Sequence, residues 1–516
     1  MVGNVTDGGQ SHTRRILARV LLLTRIVTFP IVMTLTRQIL LCGFSLLCAL
    51  PERALTADWL NAGPVFDDFP LTLSSGHRTE AIGPFYYCEQ QDTRQIRAVP
   101  PLLSYLRDPA TDVVQFDMCY PLLTYGRYGS EYRWQLLQVL SFAGGQNQEE
   151  TGTRRFTLFP LYFQQRSAIP SQNYTALVPF YGRLENRLFR DEIFFVMFPI
   201  YGRTRKGDVV TDNYLYPFFH LRHGEALEGW QIWPFTGHEH KDATTRTNGF
   251  GDIETVGGHD DWFVIWPLFF DQKSRIGTDN PQHQQTFLPF YSYVRSPARD
   301  STAVLWPLFV HVTDRENQYR EWETPWPLIV FARGEGKTTS RVWPFFSQSR
   351  NASLEADFYL WPIYKYNRVH VGALDRERTR IVFFLYSDTI LKNTETGAAR
   401  RRVDLWPLFT HQRDLQGNSR LQLFAPLEPL LPESERVERD YSPLWSFWRA
   451  ESNHRTGATS QSLLWNLYRR EATPEARKFS LFFGLIQYQS RSEGKRLRLF
   501  YIPVIKTGPV NDDRPK

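Results

Sequence analysis

Cysteine and methionine are scarce in this chain, with four of each among 516 residues. So little methionine beside 15% aromatic residues favours pleated sheet over helix. No window beyond the N-terminal leader sustains a 3.6-residue apolar period, so little helix is expected. Of the four cysteines, Cys42 and Cys48 fall in the leader, which leaves Cys88 and Cys119. Two cysteines in an oxidising compartment could pair. However, the segment Pro101-Leu-Leu-Ser-Tyr105 intervenes as a further repeat, which puts the two on next-but-one strands. Such strands lie about 9.5 Å apart, beyond disulfide reach, so free thiols are expected. A basic excess is also missing once the leader is set aside. Residues 1–57 hold six arginines against Asp7 and Glu52, and the rest of the chain carries 54 basic and 52 acidic residues. That balance gives no electrostatic reason to expect nucleic acid as a partner.

Catalytic motifs are missing too. There is no Gly-x-Ser-x-Gly elbow and no His-Glu-x-x-His helix. Gly334-Glu-Gly-Lys-Thr338 lacks the first glycine of a phosphate loop and any following helix, and reads as a charged turn. Asp67-Asp68 and Asp260-Asp261 are adjacent pairs, which point to opposite faces of a strand and make poor acid–base partners. The expectation is a protein that is not an enzyme, with no cofactor.

What is present is a recurring phrase. It reads Phe159-Pro-Leu-Tyr162, Phe198-Pro-Ile-Tyr201 and Tyr216-Pro-Phe-Phe219, then Trp266-Pro-Leu-Phe269, Trp306-Pro-Leu-Phe309, Trp343-Pro-Phe-Phe346, Trp361-Pro-Ile-Tyr364 and Trp406-Pro-Leu-Phe409. An interval near 19 residues marks a repeat architecture (roughly 17 to 23 across the copies). Polar clusters such as Arg333-Gly-Glu-Gly-Lys337 and Arg413-Asp-Leu-Gln-Gly417 lie between the copies and read as turns. With one strand of about 10 to 13 residues per repeat, the chain forms an antiparallel up-and-down meander of about 22 to 24 strands. Proline then falls in mid-strand, which suggests an aligned kink or bulge. The strand centres read as apolar on both faces: Phe358, Leu360, Pro362 and Tyr364 on one, Tyr359, Trp361 and Ile363 on the other. A closed barrel removes the sheet edges and is the first expectation; a β-propeller or layered β-sheet scaffold is the alternative.

The first 57 residues have the grammar of an export leader. Met33–Gln38 supplies a short positive region, Ile39–Leu50 an apolar core, and Leu55-Thr-Ala57 a cleavage site before Asp58. Translation is expected to start at Met33, and residues 58–516 to form a single repeat domain. That domain carries a longer polar insertion at 237–261, where the interval from Pro234 to Pro267 nearly doubles.

Over nearly the whole of residues 58–516, the phrases quoted above resemble a set of secreted bacterial proteins built from Trp-Pro-Leu-Phe/Tyr repeats with charged turns. The resemblance implies a cell-envelope address, outer membrane or periplasm, and nothing catalytic. One departure stands out. Outer-membrane barrels often end on an aromatic strand, whereas here Arg496–Ile505 is followed by a polar tail to Lys516. Membrane lipid or other envelope components are the expected partners, in a structural or transport role. A soluble scaffold that binds glycans or proteins is the second reading.

The densest candidate chemistry is a histidine-rich stretch. His220, His223, His238, His240 and His259 lie within 40 residues, beside Glu239, Asp260 and Asp261. Imidazole and carboxylate are the ligands that zinc prefers, so a divalent metal and a metal-dependent hydrolase form the minor reading. The spacing matches no established zinc motif, and a solvated polar loop accounts for the same residues.

Overall fold

The computed structural model describes residues 63–507, apart from 147–151, 248, 250 and 493. The export leader with its Met33 start and both leader cysteines lie outside the described residues. The fold is all-β: the described residues form 45 strands of 4 to 8 residues, with 43 of them in one antiparallel meander. Each strand pairs with its neighbours in sequence. The exception is Thr236–Lys241, which pairs with Gly258–Val264 across the insertion. Inside the insertion, Thr244–Thr247 and Ile253–Val256 form a separate two-stranded hairpin. Among the described residues, the first strand, Asp67–Pro70, and the last, Ile502–Thr507, each pair with a single neighbour. Among the described residues, no helix is long and apolar enough to cross a membrane.

The expected 22 to 24 long strands are corrected to twice as many short ones. Each repeat is a hairpin, and the aromatic–proline phrase is its turn rather than its middle. Leu354–Tyr359 ends just before Trp361-Pro362, and Tyr364–Val371 begins just after it. The X–Pro bond is cis at 15 positions, Trp361–Pro362 among them, as in turns with proline at the third position. At six of these turns the residue before the X–Pro pair takes a left-handed conformation, with φ 47° at Leu360 and 48° at Ile265. Proline has no N–H to give a ladder, so a turn removes the conflict that a mid-strand position creates. The proposed mid-strand bulge and the division of residues 358–364 between two faces are therefore withdrawn.

Successive proline turns are bonded to one another. Trp361 N–H donates to the Pro344 carbonyl at 2.7 Å, and Leu360 N–H to that of Phe345 at 2.5 Å. The same link joins Tyr216 to Pro199 at 2.8 Å and Trp266 to Pro234 at 2.7 Å. Ring contacts follow the same line, with centroids 5.9 Å apart for Trp343–Trp361 and 5.8 Å for both Trp361–Phe383 and Trp233–Trp266. One edge of the sheet is thus a continuous rim of aromatic turns. The opposite edge is made of short turns such as Asp92-Thr93 and Gly372-Ala373, with Leu188-Phe189 an exposed apolar one among them.

Because side chains alternate along each strand, the cross-strand register sorts residues into rows. The row beside the rim is apolar: Phe346, Tyr359, Tyr364, Ile381, Tyr386 and Leu405 are successive partners. The next row, on the other face, is small or polar: Ser387, Asp404, Thr410, Gln422, Arg449 and Ser462. Apolar cores are small, one formed by Phe163, Tyr174, Ala176, Leu184 and Phe195, another by Tyr87, Ile96, Ala98 and Leu106.

One segment breaks the repeat. Between strands Ser419–Leu423 and Trp448–Ser452 the chain forms the helices Glu435–Asp440 and Ser442–Trp445. Ser434 caps the first by accepting from Val437 N–H. Arg439 of this helix reaches Asp117, and Tyr87 Oη donates to the Arg439 carbonyl at 2.9 Å. The insertion thereby ties late strands to early ones. Cys88 and Cys119 are both free.

Candidate functional site

The five histidines do not converge. His238 and His240 share a strand face, as their spacing predicts, and both approach Asp260. His238 Nε2 lies 2.7 Å from its Oδ1, and His240 Nδ1 3.5 Å. The His238 ring stacks on Trp262 at 4.0 Å. His259 lies on the opposite face, 2.8 Å from Glu239, which also takes a 2.5 Å bond from Arg222. His220 stands against Gln231 and Asn213, and His223 against Glu228 and Val210. Burial, helped by Arg222, lowers the His220 pKa and keeps the ring neutral. The hydrogen bond from His238 lowers the Asp260 pKa, whereas burial raises that of Asp261. Among the described residues, no three His, Cys, Asp or Glu side chains are placed to hold a metal ion. The arrangement is a set of cross-strand imidazole–carboxylate pairs, one set on each face.

A polar cavity of about 200 Å³ lies where strands near the start of the sheet meet those near its end. Its walls include Arg78, Glu80, Glu89, Arg449, Glu451 and Arg469. Arg78 Nε sits 2.8 Å from Glu80, and Arg469 Nε sits 2.7 Å from Glu471. The Arg469 guanidinium lies 3.4 Å above the Phe69 ring. Burial works against ionisation of Glu451, but Arg449 and Arg420 overcome it and hold its pKa at about 2. Asp67 goes the other way, pushed up to about 7 by burial against the pull of Arg469. Thr72 donates to Ser460 at 2.7 Å, Asn453 to the Thr72 carbonyl at 3.1 Å, and Asn466 to Glu80 at 2.9 Å. The cavity's charges are engaged by one another, and its evident task is to join the two ends of the meander.

The most unusual surface is the one that carries the aromatic–proline phrase. Among the described residues, buried polar side chains outnumber buried apolar ones, whereas nine tryptophans are exposed. That reverses the usual partition of a water-soluble domain. Along the rim, Trp306, Trp343 and Trp361 are 42 to 44% exposed, with Phe345 and Leu408 near 60%. On the face that carries the apolar row, Leu221, Trp230, Trp262, Trp322 and Phe331 are also exposed, in a second row that they share with His238, Asp271 and His311. The opposite face mixes Ser, Thr, Gln, Asp and Arg with apolar residues such as Phe195, Phe263 and Phe358. The sequence signal was the phrase itself: its large apolar residues sit in turns, and turns lie at the surface.

No protein-family model matches the chain, and no curated protein is detectably similar to it.

Proposed function

We propose that this is a non-catalytic cell-envelope protein that seats its aromatic–proline rim in a lipid surface. One observation carries the proposal: a line of exposed Trp, Phe, Leu and Ile along the hydrogen-bonded proline turns, in a sheet whose buried side chains are mostly polar. Exposed apolar surface of that extent marks an interaction site, and Trp and Tyr suit the membrane interface. A strand that spans a bilayer needs about 9 to 11 residues. Strands of 4 to 8 residues therefore favour edge-on seating over a porin-like wall. A closed barrel would need the first and last strands to pair, and among the described residues each has a single ladder partner.

Flotation of the full chain with neutral phosphatidylcholine vesicles tests the proposal. Co-flotation is expected, with loss on replacing Trp306, Trp343 and Trp361 by Gln. Protein that stays at the bottom of the gradient, or a triple variant that floats unchanged, contradicts it. The second reading is a soluble scaffold whose polar turns bind glycans or proteins. It rests on the charged edge opposite the rim and predicts a monodisperse protein without lipid or detergent.

A further inference from the structure

The polar face carries a group of cations that, among the described residues, have no ion-pair partner. Strand Leu374–Ile381 reads Leu-Asp-Arg-Glu-Arg-Thr-Arg-Ile. Its alternation puts Arg376, Arg378 and Arg380 on one face, about 6.8 Å apart. Lys365 stands directly opposite Arg380 on the neighbouring strand, Tyr364–Val371. The acids of the same strand do not help, because Asp375 and Glu377 point to the other face. There they hold Arg368, at 2.7 and 3.5 Å. The nearest acid on the cationic face, Asp404, is already bonded to Arg402 at 2.9 Å and to Thr410 at 2.6 Å. Among the described residues, none of the four cations makes an ion pair.

Like charges directly across a ladder are destabilising. The strain is visible in the proton affinities: burial, Arg380 and Arg378 lower the Lys365 pKa, and burial, Arg380 and Arg376 lower that of Arg378. The Arg378 Nε is also buried without a hydrogen-bond partner. Ser387 and Thr389 face Arg380 and Arg378 from the next strand and add neutral donors.

We infer that Lys365, Arg376, Arg378 and Arg380 form a binding site for a ligand bearing two or more phosphate groups. Guanidinium forks match phosphate oxygens, and a row of three at this spacing fits several phosphates better than one. Such phosphates come either from a soluble polyphosphate or from anionic lipid headgroups. The site is argued independently of the lipid rim.

The test uses the full chain with inorganic tripolyphosphate by calorimetry, and with phosphatidic acid vesicles by sedimentation at moderate salt. Wild-type protein is expected to bind at least one probe. The R376Q/R378Q/R380Q variant should lose affinity by roughly a hundredfold, the scale of lost charged hydrogen bonds. Because the substitution relieves repulsion, the variant should unfold no earlier than wild type, and K365Q should show a smaller loss. Tripolyphosphate binding that is lost in the triple variant supports a soluble ligand. Binding to phosphatidic acid alone, lost in the same way, supports a headgroup. No binding of either probe, or equal binding by wild type and triple variant, overturns the inference. The rim variant W306Q/W343Q/W361Q keeps tripolyphosphate binding, so failure of the rim proposal is told apart from failure of this one.

Discussion

Removing Asp117 should loosen the helical insertion from the early strands. The Asp117 side chain is 1% exposed and that of Arg439 3%. Arg439 donates through Nη2 to Asp117 Oδ2, through Nη1 to Gln115 at 3.2 Å and through Nε to Asp440 at 3.1 Å. Arg436 approaches the same Asp117 oxygen at 3.4 Å. Burial pushes the Asp117 carboxyl up to about 6 against the pull of Arg439 and Arg436, so the experiment belongs at pH 8, where it is ionised. Breaking a buried pair by deleting one partner costs about 3 to 5 kcal/mol. Asp440 and Gln115 remain to Arg439, which places Asp117→Ala near the lower end, about 3 kcal/mol. That corresponds to a roughly hundredfold faster hydrogen exchange at the amides of Glu435–Asp440, if local opening governs it. The double variant D117L/R439M, which removes both charges, should recover most of the protection. Unchanged exchange in Asp117→Ala, or a double variant as exposed as the single one, would refute the idea that this ion pair holds the insertion.

Two other consequences are more local. Asp67 titrates near 7 in the folded chain and near 3.8 when unfolded, so the native state binds its proton more tightly between those values. Stability therefore falls as pH rises from about 4 to 7, by on the order of 4 kcal/mol from this group, and Asp67→Asn should flatten that slope in urea titrations. A slope identical in wild type and variant would contradict the burial argument. Gly334 has φ 159°, and a Cβ there would lie 2.0 Å from the Gln318 carbonyl oxygen. Gly334→Ala should destabilise by more than about 1 kcal/mol, read as a lower urea midpoint, and an unchanged midpoint would mean that the turn opens freely.

The all-β class, the repeat and its antiparallel meander were legible because proline and aromatic residues recur at fixed phase. Strand length was not. Trp361-Pro362-Ile363 is an apolar run, and an apolar run reads as a strand centre whenever water is assumed on both edges. Its place in a turn emerges only once the rim is seen to be exposed. The longer polar stretch at 237–261 was visible as a doubled interval; its two ends belong to paired strands of the main sheet, and only its middle, Thr244–Thr247 with Ile253–Val256, forms a separate hairpin, which the sequence did not announce. The helices at 435–445 escaped notice although Ser434 and Glu435 form a recognisable start, because six residues are too few for a periodic signal. His238 and His240 were placed on one face correctly. Their separation from His259 depends on the register with Gly258–Val264, which spacing along the chain does not reveal. The arginine row was readable in Arg376-Glu-Arg-Thr-Arg380, but its lack of counter-charges required the neighbouring strands.

The most direct test of the central claim is tryptophan quenching by phosphatidylcholine brominated at defined depths along the acyl chain. Seating of the rim predicts strong quenching by shallow bromines, and weaker quenching once Trp306, Trp343 and Trp361 are replaced by Gln. Emission unaffected by bromine at any depth, from protein shown to be folded and mixed with the vesicles, would contradict it.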